Sequence, residues 1–199
     1  LVQSKLKALA RMEAIAVPQR IVSRGGIRLR KPERCGQCVA RLEEVGFSYG
    51  DGPPVLAGIN LTIQRGDKLA LVGLNGTGKS TLLRILAGQH APTAGRRILG
   101  HNVTPGYQSQ EFAETMNPEL SAFATIRAVT VDASEQEIRN LLGGFGFSGD
   151  AIEKPVAVLS GGEKVRLAFA RLLAPPPNFL ILDEPTNHLD IAAREALET

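Results

Sequence analysis

Gly73-Leu74-Asn75-Gly76-Thr77-Gly78-Lys79-Ser80 decides the fold of this chain. The spacing is G-x-x-x-x-G-K-[ST], and its positions have chemical reasons. Glycines let the backbone curl until successive N–H groups converge on one anion. A helix beginning at the end of the loop aims its positive N-terminus at the same point. A lysine there reaches β- and γ-phosphates, and the serine hydroxyl can ligate the accompanying Mg²⁺. The stretch, extended to Thr81, is expected to cradle nucleotide phosphates.

The flanking residues agree with that reading. Lys68–Val72 is a short apolar run that reads as a buried strand, and Leu82–Ala87 continues the loop into a helix. Downstream, Phe179–Leu182 reads as a second buried strand ending in Asp183-Glu184. The C-terminal ends of strands are where α/β sheets place ligand chemistry. Asp183 is expected to hold Mg²⁺ directly or through water, because Mg²⁺ takes few carboxylates and keeps several waters. Glu184 is expected to polarise an attacking water. Repulsion between adjacent carboxylates favours one metal partner and one base.

The remaining pattern is mixed. Arg41–Tyr49, Ile59–Ile63, Arg97–Leu99 and Thr104–Tyr107 read as strands. Residues 111–150 are mostly helical, with a capped start between Asp132 and Glu135, and Ser160–Leu173 is another helix. Strands alternating with helices predict an α/β domain with a largely parallel sheet. The composition, 43% hydrophobic and 22% charged, excludes a wholly disordered chain. No apolar run approaches the ~18 residues of a membrane-spanning helix. Two cysteines cannot build a disulfide framework, which predicts a reducing, cytoplasmic setting.

Charge is uneven. Residues 1–41 hold ten basic and two acidic side chains, a net of +8, so with +3 overall the rest carries −5. Ser4–Val17 has an amphipathic helical pattern ending at Pro18, and residues 18–38 are Gly- and Arg-rich without periodicity. Such a basic arm fits either a polyanion partner or a solvated linker. Cys35-Gly36-Gln37-Cys38 lacks the second ligand pair of a structural zinc site and the strand–helix context of a redox motif. Its role stays open.

Leu159-Ser160-Gly161-Gly162-Glu163, ahead of Asp183, resembles the signature motif of ATP-binding cassette (ABC) proteins. With the phosphate loop and Asp183-Glu184-Pro185-Thr186, the resemblance covers residues 40–199. Pro185-Thr186-Asn187-His188-Leu189-Asp190, Glu163 and the run Lys164–Ala168 resemble the ABC-F branch. The basic arm resembles the end of that branch's interdomain linker. The resemblance implies a P-loop NTPase cassette with a mostly parallel core sheet, an antiparallel β subdomain and a helical subdomain. It places a partial linker at residues 1–38 and a C-terminally truncated nucleotide-binding domain at 39–199.

Site roles follow from the same resemblance. Lys79, Glu184 and Gln110 would serve catalysis, and Ser80, Gln110 and Asp183 would meet Mg²⁺. Gln108 is the alternative to Gln110. Tyr49 would stack on adenine, with an edge-strand tyrosine as the plainer reading. Ser160, Gly161, Gly162 and Glu163 would face ATP held by a second cassette, expected in the same full-length chain, and Asp190 would contact that cassette. The implied function is ATP binding and hydrolysis, acting on the ribosome through rRNA or tRNA in translation or antibiotic resistance. The alternative is a transporter's nucleotide-binding subunit. The chain reads as a fragment without the family's switch histidine, so hydrolysis by this piece alone is expected to be impaired.

Overall fold

The computed structural model describes residues 29–109 and 111–185. Strand β1 (Cys38–Ser48) pairs antiparallel on one side with β2 (Pro54–Gln64) and on the other with β3 (Ala94–Leu99). Leu42 stands opposite both Leu61 and Arg97, fixing the register of the three-stranded sheet. Helix α1 (Lys79–Ala87) follows the phosphate loop and lies between left-handed glycines, Gly78 at φ 89° and Gly88 at φ 83°. It buries Thr81, Ile85 and Leu86. Val45, Phe47, Leu56, Ile85 and Ile181 share one apolar cluster, which seats the helix against the sheet.

Strands β4 (Pro105–Gln108) and β5 (Phe179–Leu182) form a separate parallel pair, with Tyr107 opposite Ile181 and Gln108 opposite Leu182. Between them lie α2 (Ala122–Arg127), α3 (Glu135–Gly144) and α4 (Gly161–Leu173). Ile126, Ile138, Leu142, Phe147 and Leu167 make a second apolar cluster that holds these helices together. The capped start expected between Asp132 and Glu135 is supplied by Ser134, whose hydroxyl accepts from the Glu137 amide while Glu137 returns to the Ser134 backbone N–H. That reciprocal arrangement satisfies two otherwise orphan donors.

One expected element differs. Lys68–Val72 carries no ladder among the described residues, and Leu69, Leu71 and Val72 are 59%, 42% and 94% exposed. A strand needs a neighbour to accept its backbone groups. The run is paired neither into the β2-β1-β3 sheet nor into the β4-β5 pair. The parallel part of the sheet, expected to be the larger, is therefore two-stranded among the described residues.

Residues 29–37, just before β1, lie along the domain. Arg30 donates to Glu137 at the start of α3, and Asn178 Nδ2 donates to the Glu33 carbonyl at 2.9 Å. Arg65 Nη1 donates to the Cys35 carbonyl at 2.8 Å, and the Gly36 amide donates to the His101 carbonyl at 3.0 Å. The expected amphipathic helix at Ser4–Val17 falls outside the described residues.

Candidate nucleotide-binding site

The loop from Gly73 to Gly78 depends on backbone shapes that few residues adopt. Gly76 has φ 81° and Gly78 has φ 89°. A Cβ on Gly78 would also stand 2.9 Å from Leu56 Cδ2 and 3.1 Å from Val55 Cγ1. Glycine is thus needed there for both conformation and space. Thr77 Oγ1 donates to the Leu74 carbonyl at 2.9 Å. Lys79 Nζ donates to the carbonyls of Gly73 and Leu74 at 2.9 and 2.7 Å, so the ammonium spans its own loop.

Ser80, in the first turn of α1, meets the end of β5. Its hydroxyl donates to Asp183 Oδ1 at 3.1 Å across 103 residues of sequence. Asp183 is 4% exposed. Its other oxygen, Oδ2, accepts from the Tyr107 hydroxyl at 3.3 Å, and its backbone N–H donates to the Gln108 carbonyl at 3.0 Å. Burial pushes the Tyr107 phenol upward, opposed by the Arg84 guanidinium beside it. Arg84 is in turn raised, first by its hydrogen bond with Tyr107. A buried carboxylate facing a serine hydroxyl offers the hard oxygen donors that Mg²⁺ prefers.

Glu184 follows Asp183 in a left-handed conformation, φ 51°, uncommon for a residue with a Cβ. Gln110 and Asp190, expected near the same region, lie outside the described residues. Gln108 is 7% exposed, and its Oε1 has no hydrogen-bond partner among the described residues. It lines a cavity of about 580 Å³ with Phe112, Gly161, Lys164, Phe169 and Pro185 among others. No residue from 73 to 80 lines that cavity.

Tyr49 is 50% exposed just beyond the end of β1. Its hydroxyl lies 3.1 Å from Thr81 Oγ1, on the helix that follows the phosphate loop. Its ring meets Phe47 edge to face at 4.9 Å and His90 edge to face at 5.9 Å. Phe47 and His90 thus brace the ring of a residue that stays half exposed.

Ser160 is the N-cap of α4, and its hydroxyl and backbone N–H lie 2.7 and 2.8 Å from Glu163 Oε2. Those bonds hold the Glu163 carboxyl below the usual carboxylate range. Glu163 therefore faces back onto the helix start rather than outward with Gly161. The S-x-x-E spacing at Ser160–Glu163 carries that signal in the sequence. Tyr107 and Arg84 were not among the expected site residues, and no local motif marks either.

The family model described as ABC transporter matches residues 56–187, and the chain belongs to that family of ATP-binding cassettes. Within it, the similar curated proteins include F-type members. The chain is 40% identical over 199 residues to ABC transporter F family member 5 of Arabidopsis thaliana, covering 98% of this chain and 28% of that protein. It is 42% identical over 196 residues to the ATP-binding protein YdiF of Bacillus subtilis strain 168, covering 98% and 30%. ATP-binding cassette sub-family F member 3 of Rattus norvegicus is 38% identical over 199 residues, with 98% and 28% covered. The chain thus spans under a third of the length of these relatives. Among solved structures it resembles the dimeric ATP-binding cassette MJ0796 bound to ADP and Pi. That match has TM-score 0.66 and 25% identity, covering 79% of each chain.

Proposed function

We propose that this chain is the greater part of one nucleotide-hydrolysing cassette of an ABC-F protein, preceded by the end of a basic linker at residues 1–38. The observation that carries the reading is the Ser80–Asp183 contact at 3.1 Å. It brings the phosphate loop and the end of β5 to one point, although 103 residues separate them. Mg²⁺ bound with ATP would be held by Ser80 and Asp183, with Gln110 beside it, and would neutralise charge on the phosphates. Lys79 would leave its own loop carbonyls for the β/γ-phosphates. Glu184 would orient the attacking water as general base. Positioning and electrostatics account for most catalysis of phosphoryl transfer.

A second cassette completes the site in this reading. Ser160, Gly161 and Gly162 cap ATP held on that cassette, and Asp190 lies at the contact between the two. The dimeric structure of the MJ0796 cassette supports the pairing of two such domains, which here would face head to tail. The protein works in the cytoplasm on the ribosome, where the +8 arm meets RNA. Cations that displace counterions from RNA supply sequence-independent affinity.

The test uses the full-length protein. ATP turnover is measured for the wild type and Glu184→Gln, and ribosome co-sedimentation is followed from low to high salt. Glu184→Gln is expected to hold ATP and lose nearly all turnover, and ribosome binding is expected to fall steeply with salt. Unchanged turnover in that variant removes Glu184 as the base. Absent or salt-insensitive ribosome binding removes the RNA role, and co-purification with a membrane subunit would favour a transporter.

A further inference from the structure

Asp183 has two oxygens, and the structure gives each a different partner. Ser80 Oγ sits on Oδ1 at 3.1 Å and the Tyr107 hydroxyl on Oδ2 at 3.3 Å. The strand register explains the second contact. Tyr107 lies opposite Ile181 in the parallel pair, so its side chain shares a face with Ile181 and Asp183. Asp183 is two residues further along, about 6.6 Å at the usual rise. A phenol ring with its hydroxyl covers that span.

Helix α1 repeats the same interval. Ser80 and Arg84 are four residues apart and lie on one face, about 6 Å apart along the axis. Ser80 meets Asp183, while the Arg84 guanidinium lies beside the Tyr107 hydroxyl. Two residues on the helix therefore register against two on the strands. The backbone N–H of Asp183 is occupied by the Gln108 carbonyl at 3.0 Å, so the carboxylate is anchored at its root as well.

We propose that Tyr107, held by Arg84, is a positioning residue for Asp183. Its hydroxyl occupies Oδ2 and so presents Oδ1, on the Ser80 side, to a divalent cation bound with nucleotide. Without the hydroxyl, a carboxylate gripped on one side can rotate about its Cβ–Cγ bond, and Oδ1 is no longer set beside the serine. Groups that orient a metal ligand commonly change metal affinity about 10- to 100-fold when removed. This inference rests on the reading that Ser80 and Asp183 hold the metal.

The test measures binding, not turnover. A fluorescent ATP analogue is titrated into the full-length protein with Mg²⁺ and with EDTA, and the ratio of the two affinities is taken for each variant. Tyr107→Phe, which removes only the hydroxyl, is expected to lower that ratio about tenfold from the wild-type value. Arg84→Gln is expected to lower it less. Asp183→Asn is expected to abolish the enhancement. A large wild-type ratio that Tyr107→Phe leaves intact overturns the proposal. If Tyr107→Phe does not fold, an unchanged ratio in Arg84→Gln overturns it instead. A wild type with no Mg²⁺ enhancement, or an Asp183→Asn variant that keeps it, overturns the underlying metal reading.

Discussion

Arg30 and Glu137 lie 107 residues apart in sequence, yet Arg30 Nε and Nη2 both donate to Glu137 Oε1, at 3.1 and 2.7 Å. The other oxygen of the same carboxylate closes the capping box of α3, 2.8 Å from both the Ser134 backbone N–H and its hydroxyl. One side chain thus starts a helix and ties down the segment that enters β1. Movement of α3 would pull on that segment directly.

The pair predicts a pH dependence. Hydrogen bonds from Arg30, then from the Ser134 backbone and hydroxyl, hold the Glu137 carboxyl down from 4.5 to about 2. A folded-state value below the unfolded one adds stability above the unfolded value. That contribution is lost as pH falls from 4.5 toward about 2. Urea midpoints measured across this range are expected to fall more for the wild type than for Glu137→Gln. A Glu137 carboxyl that titrates near 4.5 by NMR would show that the contact does not persist in solution.

The phosphate loop makes a sharper structural prediction. Gly76→Ala and Gly78→Ala both impose a left-handed alanine, costing about 1–2 kcal/mol. The Gly76 Cβ would meet nothing within 4 Å, whereas the Gly78 Cβ would press on Leu56 and Val55. Gly78→Ala should therefore be the more destabilising of the two in chemical denaturation. Equal losses would mean that the β2 side chains yield freely.

Tyr49 separates ring from hydroxyl. If its ring stacks on adenine, Tyr49→Ala removes about 1–3 kcal/mol of stacking. That corresponds to a rise in ATP Kd of roughly 5- to 150-fold. Tyr49→Phe keeps the ring and loses only the hydroxyl's contacts, with Thr81 at 3.1 Å and with Arg84, so its Kd should stay within about twofold. Isothermal titration of both variants decides the matter. Equal, small effects would leave Tyr49 as a tyrosine that braces the end of β1.

Local spacing made some of this legible. The glycine positions of residues 73–78 and the apolar run before Asp183 both act within a few residues, so their patterns could be read directly. Ser134–Glu137 and Ser160–Glu163 were legible in principle, because a capping box is written in four consecutive positions. Tyr107–Asp183 and Arg30–Glu137 were not, because each depends on which strand or helix lies alongside. The same limit explains Lys68–Val72. Its apolar pattern states a preference for burial, but the strand forms only where a neighbour supplies the ladder.

Gly161 offers the cleanest separation of structure from function. It is the first residue of α4, its backbone is not left-handed, and a Cβ there would meet nothing within 4 Å. Alanine in a helix is favoured over glycine by up to about 1 kcal/mol. Gly161→Ala should therefore leave the thermal midpoint unchanged or raise it. In the two-cassette reading, however, Gly161 closes on a γ-phosphate carried by the opposing phosphate loop. A methyl group at that contact keeps the anion from the N–H groups at the helix start. Turnover by the full-length protein should then fall at least about tenfold, equal to ~1.4 kcal/mol of transition-state stabilisation. A stable, inactive variant would place Gly161 at the interface between cassettes. A stable variant with normal turnover would remove it from the reaction, and a variant that melts early would mean that the start of α4 is packed by residues beyond those described.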